Sequence, residues 1–173
     1  STLSILGSGT LGMLGTLANN ITTINGSGST ANLTLTAGSA GVTATTGTGN
    51  DQVNLTGGTN NVTTSDGTDT IILSTGNDTV NTGSDGDNVT AAAGVNNITT
   101  ESGSDQITLT GGTNTVDTGN DGDVVNASGG DNNITSGTGG DNVTLTGSGT
   151  NTVNTGDSGD TVSASAGTNN ITT

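Results

Sequence analysis

Valine or isoleucine returns every nine residues along most of this chain. The uninterrupted series is Val53, Val62, Ile71, Val80, Val89, Ile98, Ile107, Val116, Val125, Ile134 and Val143, and Val153, Val162 and Ile171 continue it after one extra residue. A turn rich in Gly, Asp, Asn and Ser precedes most of these positions. Strand residues bounded by such turns indicate one turn and one short strand per unit, and a strict short period indicates stacked copies of that unit. The pattern predicts an all-β protein, a parallel β-solenoid with about nine residues per strand and turn.

Two longer periods set the expected size of a coil. Asp and Asn alternate two residues before the apolar position, as in Asp87, Asn96, Asp105 and Asn114, which gives a period of about eighteen. Leu, Thr, Ala and Thr recur in order two residues after it, which gives a module of about thirty-six. The simplest interpretation is a β-roll of about eighteen residues per coil, two strands each. A larger coil of about thirty-six residues is the alternative.

The chain divides into two segments of different character. Residues 1–19 form the most apolar stretch and contain four glycines, each of which costs a helix about 1 kcal/mol relative to Ala. We expect this segment to be an irregular cap or assembly segment at the N-terminal end. Residues 20–173 carry the solenoid repeats.

Alternation along each strand assigns the side chains to the inside or the outside. The valine or isoleucine and the residue two further on face inward, and the residues that flank the valine or isoleucine face outward. On the Asn-bearing strands the outward pairs form a regular Thr/Asn lattice: Asn61/Thr63, Thr79/Asn81, Asn97/Thr99, Thr115/Asp117, Asn133/Thr135, Thr152/Asn154 and Asn170/Thr172.

Composition excludes several function classes. The 173 residues include no Lys, Arg, His, Cys, Pro or aromatic residue, and the formal charge is −15. Without cations the chain cannot neutralise phosphates, so we expect no binding to nucleic acid or to anionic membranes. Without His, Cys, Lys or Tyr most general bases and nucleophiles are missing, so we expect no enzyme.

The acidic turns carry the candidate chemistry. Twelve of the fifteen carboxylates lie in turns expected on one edge of the solenoid, and only Asp78, Asp117 and Asp131 lie elsewhere. Stacked coils bring equivalent side chains to about 4.8 Å, and two like charges at about 4 Å repel by about 1 kcal/mol even in water. The chain has no cation to offset this row, so we expect an external ion. Oxygen ligands favour Ca²⁺.

The turn Gly47-Thr-Gly-Asn-Asp-Gln-Val53 resembles the haemolysin-type (RTX) nonapeptide repeat, whose parallel β-roll binds Ca²⁺. Thr75-Gly-Asn-Asp-Thr-Val80 and Gly139-Gly-Asp-Asn-Val143 are looser copies, and the resemblance covers roughly residues 46–173. By analogy the ligands are the aspartates two residues before the apolar position: Asp51, Asp69, Asp87, Asp105, Asp123, Asp141 and Asp160. Further candidates in the same turns are Asp66, Asp85, Asp121 and Asp157.

The opposite edge departs from the RTX pattern, because it carries Asn where that pattern has Asp. Asp78 is the exception to this Asn pattern. We expect no metal on that edge, and we expect a side-chain amide ladder of Asn60, Asn96, Asn114, Asn132, Asn151 and Asn169. The alternative for the acidic edge is that its aspartates only form Asx-turns and tolerate unusual backbone angles.

These features predict a secreted structural repeat protein, located outside the cell or on its surface. The expected role is a calcium-stabilised subunit of a filament or surface layer that assembles head to tail, with other copies and surface glycans as partners. A repeat fragment of a long RTX-type adhesin is one alternative. An ice-binding protein that uses the flat Thr/Asn face is another.

Overall fold

The computed structural model describes residues 1–9, 11–12, 16–38 and 40–173, and the regular structure in these ranges consists of β-strands alone. The strands form two parallel sheets. The ten-stranded sheet contains β1 (Thr2–Ser4), β3 (Thr23–Asn25), β5 (Thr43–Thr45), β7 (Asn61–Thr63), β9 (Thr79–Asn81), β11 (Val95–Thr99), β13 (Thr113–Asp117), β15 (Asp131–Thr135), β17 (Thr150–Asn154) and β19 (Thr168–Thr172). The nine-stranded sheet contains β2 (Leu11–Gly12), β4 (Leu33–Ala37), β6 (Gln52–Leu55), β8 (Thr70–Thr75), β10 (Asn88–Ala93), β12 (Gln106–Leu109), β14 (Val124–Ala127), β16 (Asn142–Leu145) and β18 (Thr161–Ala164).

The pairing register confirms the β-solenoid of about eighteen residues per coil. Val53 pairs with Ile71 and Val89 with Ile107, each one coil apart in a parallel ladder. Equivalent turn residues are likewise separated by 18 positions. Each strand therefore stacks on the strand eighteen residues away in the sequence, and the alternative of a coil of about thirty-six residues is wrong.

The core lies between the two sheets and follows the predicted alternation. The recurring valines and isoleucines are buried from Val53 to Val153, and they belong to one continuous apolar cluster. The second inward position is Leu or Ala on the nine-stranded sheet, as in Leu73, and Thr on the other, as in Thr82, with Ser136 as the exception. These small side chains suit two sheets joined by short turns.

The turns lie on two edges. Turns that lead from the ten-stranded sheet into the nine-stranded one form the acidic edge, for example 64–69, and turns that lead back form the neutral edge, for example 56–60. On the neutral edge one position is glycine in every coil from Gly58 to Gly167, always with positive φ. A Cβ atom on Gly94 would overlap the carbonyl oxygen of Gly76 in the coil before it. The close stacking of these turns therefore requires glycine.

The N-terminal segment continues the stack. β1 pairs with β3 and β2 pairs with β4, and Ile5 and Leu17 are buried against the core. Leu6 is 83% exposed. Of the apolar residues in the expected cap, Met13 and Leu14 lie outside the described residues.

Candidate cation site

A single column of aspartates lines the interior of the acidic edge. Each one lies just before a strand of the nine-stranded sheet, two residues before its inward valine or isoleucine, so alternation turns its side chain inward. The column consists of Asp51, Asp69, Asp87, Asp105, Asp123, Asp141 and Asp160. The first six are buried, with exposed fractions of 0–2%, and Asp160 in the last coil is half-buried.

Each carboxylate of the column is bound to the coil before it through one oxygen. Oδ1 accepts a hydrogen bond from the backbone N–H of the preceding member, as from Asp51 N to Asp69 Oδ1 at 2.7 Å and from Asp87 N to Asp105 Oδ1 at 2.8 Å. At the N-terminal end of the column, Asp51 Oδ1 accepts a hydrogen bond from the backbone N–H of Leu33 at 2.8 Å. Oδ2 of all seven members is buried and has no hydrogen-bond partner. The column therefore carries seven unsatisfied carboxylate oxygens.

Inward hydroxyls line the same turns. Thr46, Thr64, Thr82, Thr100 and Thr118 each lie beside the carboxylate of the same turn and lower its pKa. The hydroxyl and the carboxylate of one turn do not form a well-aligned hydrogen bond, since Thr82 Oγ1 and Asp87 Oδ2, for example, both lack a partner. Ser136 Oγ and Thr155 Oγ1 are unpaired as well.

The inward hydroxyls that form hydrogen bonds donate to backbone carbonyl groups rather than to one another. Thr64 Oγ1 donates to the carbonyl oxygen of Thr82 at 3.1 Å, and Thr100 Oγ1 donates to that of Thr118 at 3.2 Å. The bonds thus go to the backbone of the next coil. Oxygen atoms of hydroxyls and carboxylates remain side by side inside the edge.

Burial destabilises the charged form of these carboxylates. Desolvation is the largest cause in each case, and it raises the pKa of Asp69 and of Asp123 to about 7 and that of Asp87 to about 6. It also raises the pKa of Asp51 and of Asp105 above 3.8. Neighbouring carboxylates add to the rise, as Asp87 and Asp51 do for Asp69. The column is therefore costly to ionise without a compensating charge.

The other predicted ligands lie outside this column. Asp66, Asp85, Asp121 and Asp157 are exposed on the outer surface of the turns. Asp85 and Asp121 occupy positive φ, at 80° and 78°, where other coils have glycine. Within the described residues no three carboxylates converge on one point. The structure thus joins seven of the eleven predicted ligands into one column and leaves four at its surface.

The residues fit a hard cation in the chemistry of their donors. The interior of the edge offers carboxylate and hydroxyl oxygens, several of them buried without partners. Carboxylates, backbone carbonyls and neutral oxygens are the ligands that Ca²⁺ takes, in six- to eightfold coordination. Because carboxylates meet only pairwise along the column, the remaining ligands have to come from the turn backbone and from hydroxyls.

The neutral edge confirms the predicted amide ladder. Asn96 Nδ2 donates to Asn114 Oδ1, and the same bond joins Asn114 to Asn132, each at 2.8 Å. The ladder continues through Asn151 to Asn169 at the same distance. An amide both donates and accepts, so this column satisfies itself, whereas a carboxylate column cannot.

Asp78 interrupts this ladder. Its Oδ1 accepts from the backbone N–H and from Nδ2 of Asn60, at 3.0 and 2.8 Å. Its Oδ2 is buried without a partner, and desolvation raises the pKa of this carboxyl. Asp78 is thus a lone buried carboxylate on the neutral edge.

Comparisons with known proteins add no relative. Neither family models, nor curated proteins, nor solved structures gave a match to the chain. The likeness to the RTX repeat therefore depends on the turn residues and on the shared parallel solenoid architecture. Among the described residues there is no helix long and apolar enough to cross a membrane.

Proposed function

We propose that this protein is an extracellular structural repeat protein whose solenoid is stabilised by Ca²⁺ bound along the acidic edge. The observation that carries the proposal is the column of seven aspartates, each with a buried and unpaired Oδ2, in a chain without a single cationic side chain. Leaving a buried charge unpaired is costly, and bound metal is one of the usual remedies. The composition also offers little for catalysis, so we propose no enzymatic role.

Successive members of the column would hold the ions. Oδ2 of two neighbouring aspartates, such as Asp87 and Asp105, would supply the charge, and Thr82, Thr100 and turn carbonyls would supply neutral oxygens. The charge of a divalent cation would offset the repulsion between these carboxylates and would so stabilise the stacking of the coils. Extracellular Ca²⁺ modules commonly bind in the 10⁻⁴–10⁻³ M range, which matches the proposed location.

Isothermal titration with CaCl₂ after removal of metal by chelator tests this function. We expect saturable binding of several ions per chain and proton release at pH 7, because ligands with raised pKa values must deprotonate. Mg²⁺ and Na⁺ at matched ionic strength are the controls. No Ca²⁺ uptake would favour the alternative that the aspartates serve only the backbone of the turns, a role visible in their Oδ1 hydrogen bonds.

Assembly head to tail is the second part of the proposal. β18 and β19 each pair on one side only, and β1 and β2 do the same at the other end of the described stack. On the last coil Val162 is only partly buried and Ile171 is 39% exposed. An open strand edge beside apolar side chains is a template for another chain, and a contact between unlike ends need not close, so it can give a filament.

Electron microscopy at rising protein concentration tests assembly. We expect filaments that Ile171→Asp shortens or abolishes, because a charge would then be buried at the contact. Asn170→Asp is the matched control, since it adds the same charge at an outward position of the same strand. Persistent monomers in the unchanged protein would overturn the filament. They would favour the repeat fragment of a long RTX-type adhesin, in which further coils would cover the same edges.

The ice-binding alternative has one observation in its favour. The outward residues of the ten-stranded sheet form straight rows, as the pairings of Asn97 with Thr79 and Thr115 show. A difference between the melting and freezing temperatures of ice in the presence of the protein would support this alternative. Ordinary ice growth would remove it.

A further inference from the structure

The ten-stranded sheet has three columns of outward side chains. One of them, Val95, Thr113, Asp131, Thr150 and Thr168, has no regular pattern. In the other two, Asn and Thr alternate along the stack and across it, with neighbouring rows about 4.8 Å apart and the two columns roughly 6.6 Å apart. We name this surface the checkerboard face. The first column reads Asn61, Thr79, Asn97, Thr115, Asn133, Thr152, Asn170, and the second reads Thr63, Asn81, Thr99, Asp117, Thr135, Asn154, Thr172. Asp117 is the one departure in fourteen positions.

The opposite sheet lacks this regularity. Its first outward column, on β6 to β18, reads Gln52, Thr70, Asn88, Gln106, Val124, Asn142, Thr161. Stacking of the coils does not by itself require a regular pattern at outward positions, as the nine-stranded sheet shows. The regular pattern of the checkerboard face therefore needs a cause other than folding.

Internal hydrogen bonding does not supply that cause. Within the described structure only two side chains of the face have hydrogen bonds, Asn81 Nδ2 to Glu101 Oε1 at 2.8 Å and Gly156 N to Asn154 Oδ1 at 3.3 Å. The first column is exposed in all seven strands. Its amides and hydroxyls are thus free to bond to something outside the chain. A shallow depression between the first column and the irregular column is lined by Thr115, Asn133 and Thr152 of the former and by Thr113, Asp131 and Thr150 of the latter.

The chemistry of the face restricts the partner. Amides and hydroxyls each donate and accept, so they match hydroxyl groups, which do the same. A chain of charge −15 without cations repels anionic polymers. The chain has no aromatic platform on which rings could stack. The checkerboard repeats every two rows, roughly 9.6 Å, so a partner with its own linear repeat can engage many rows at once.

We infer that the checkerboard face binds a neutral, hydroxyl-bearing polysaccharide laid across successive coils. Each row contributes little, and the rows add because the polymer is one connected ligand. This binding function does not depend on Ca²⁺ or on filament formation.

A sedimentation assay with insoluble polysaccharides tests the inference. Purified protein is mixed with microcrystalline cellulose, chitin and insoluble starch, and with alginate beads as the anionic comparison. The test variant is Asn97→Ala/Thr115→Ala/Asn133→Ala. The control variant is Asn88→Ala/Gln106→Ala/Asn142→Ala, which removes three equally exposed polar groups from the opposite sheet. Melting temperatures of both variants establish that they fold alike.

We expect retention on at least one neutral polysaccharide and none on alginate. The checkerboard variant should lose at least tenfold in affinity, and the control variant should bind like the unchanged protein. No retention on any of the three neutral polymers would overturn the inference, as would equal losses in both variants. Thermal hysteresis abolished only by the checkerboard variant, without polysaccharide binding, would also overturn it and assign the face to ice.

Discussion

Replacement of Asp78 by Asn should stabilise the protein. Asp78 is 2% exposed, and its Oδ2 has no partner. An Asn side chain would place an Nδ2 group at this position, where other rows of the ladder donate to the next Oδ1 at 2.8 Å. An unsatisfied buried polar atom costs about 1–3 kcal/mol. We expect Asp78→Asn to recover an amount in that range at neutral pH, which corresponds to roughly 2–10 °C in Tm for a chain of this size.

The gain from Asp78→Asn should depend on pH in one direction. Burial raises the pKa of Asp78 above 3.8, so the folded state holds its proton more tightly than the unfolded state does. The unchanged protein therefore loses stability as pH rises from about 4 through the folded pKa, and Asn does not titrate. Thermal unfolding followed by circular dichroism in excess chelator should show a small gain at pH 3 and the full gain at pH 8.

The reverse substitution is the control. Asn114→Asp removes the donor to Asn132 Oδ1 and to the carbonyl of Gly111 and adds a buried charge, so Tm should fall by a similar amount. If Asp78→Asn lowers Tm in chelator at pH 8, or if both substitutions shift Tm in the same direction, the assignment of Asp78 as an unsatisfied break in the ladder is wrong.

Three further perturbations follow from the same structure. Glu101→Gly should raise Tm slightly, because Glu101 has φ of 67° and a side chain at such angles costs about 1–2 kcal/mol, which exceeds the contribution of the exposed hydrogen bond from Asn81 Nδ2 that the change removes; a lower Tm would contradict this. Gly94→Ala should destabilise strongly or prevent folding, because its Cβ overlaps the Gly76 carbonyl, whereas Gly159→Ala, whose Cβ meets no atom within 4 Å, should shift urea unfolding by less than about 0.5 kcal/mol. In chelator, the free energy of unfolding should fall as pH rises from about 4 to 7, because the buried aspartates hold their protons more tightly in the folded state. The fall is up to about 1.4 kcal/mol per pH unit for each carboxylate that titrates. A flat pH profile of urea unfolding would refute the burial of the column.

Periodicity was enough to predict most of the architecture. A nine-residue recurrence of Val and Ile fixes the strands, and the alternation of Asp105 with Asn96 and Asn114 fixes two strands per coil. The amide ladder followed from the same alternation, because identical side chains one coil apart must meet. These are consequences of stacking alone, which is why a single sequence sufficed.

The environment of the aspartates was harder to predict from the sequence. The sequence predicted charged turns at one edge. Asp51, however, precedes Val53 by two residues and Leu55 by four, so strand alternation turns all three side chains inward. That spacing was visible in the sequence, but the hydrogen bonds from the preceding coil to Oδ1 depend on the turn backbone. Positive φ at Asp85 and Asp121 was equally hidden, since only glycine at the same position in other coils, such as Gly103, gave a hint.

The stability difference between calcium-loaded and metal-free protein tests the central claim most directly. Melting temperatures at pH 8 in excess chelator and in 10 mM CaCl₂ (about 10 to 100 times a Kd of 10⁻⁴–10⁻³ M) bracket the effect, which mass action puts at about 1.4–2.7 kcal/mol per site. We predict a rise in Tm of ten degrees or more that Mg²⁺ does not reproduce. Identical melting curves in chelator and in Ca²⁺ would show that the buried aspartates are accommodated without a metal ion.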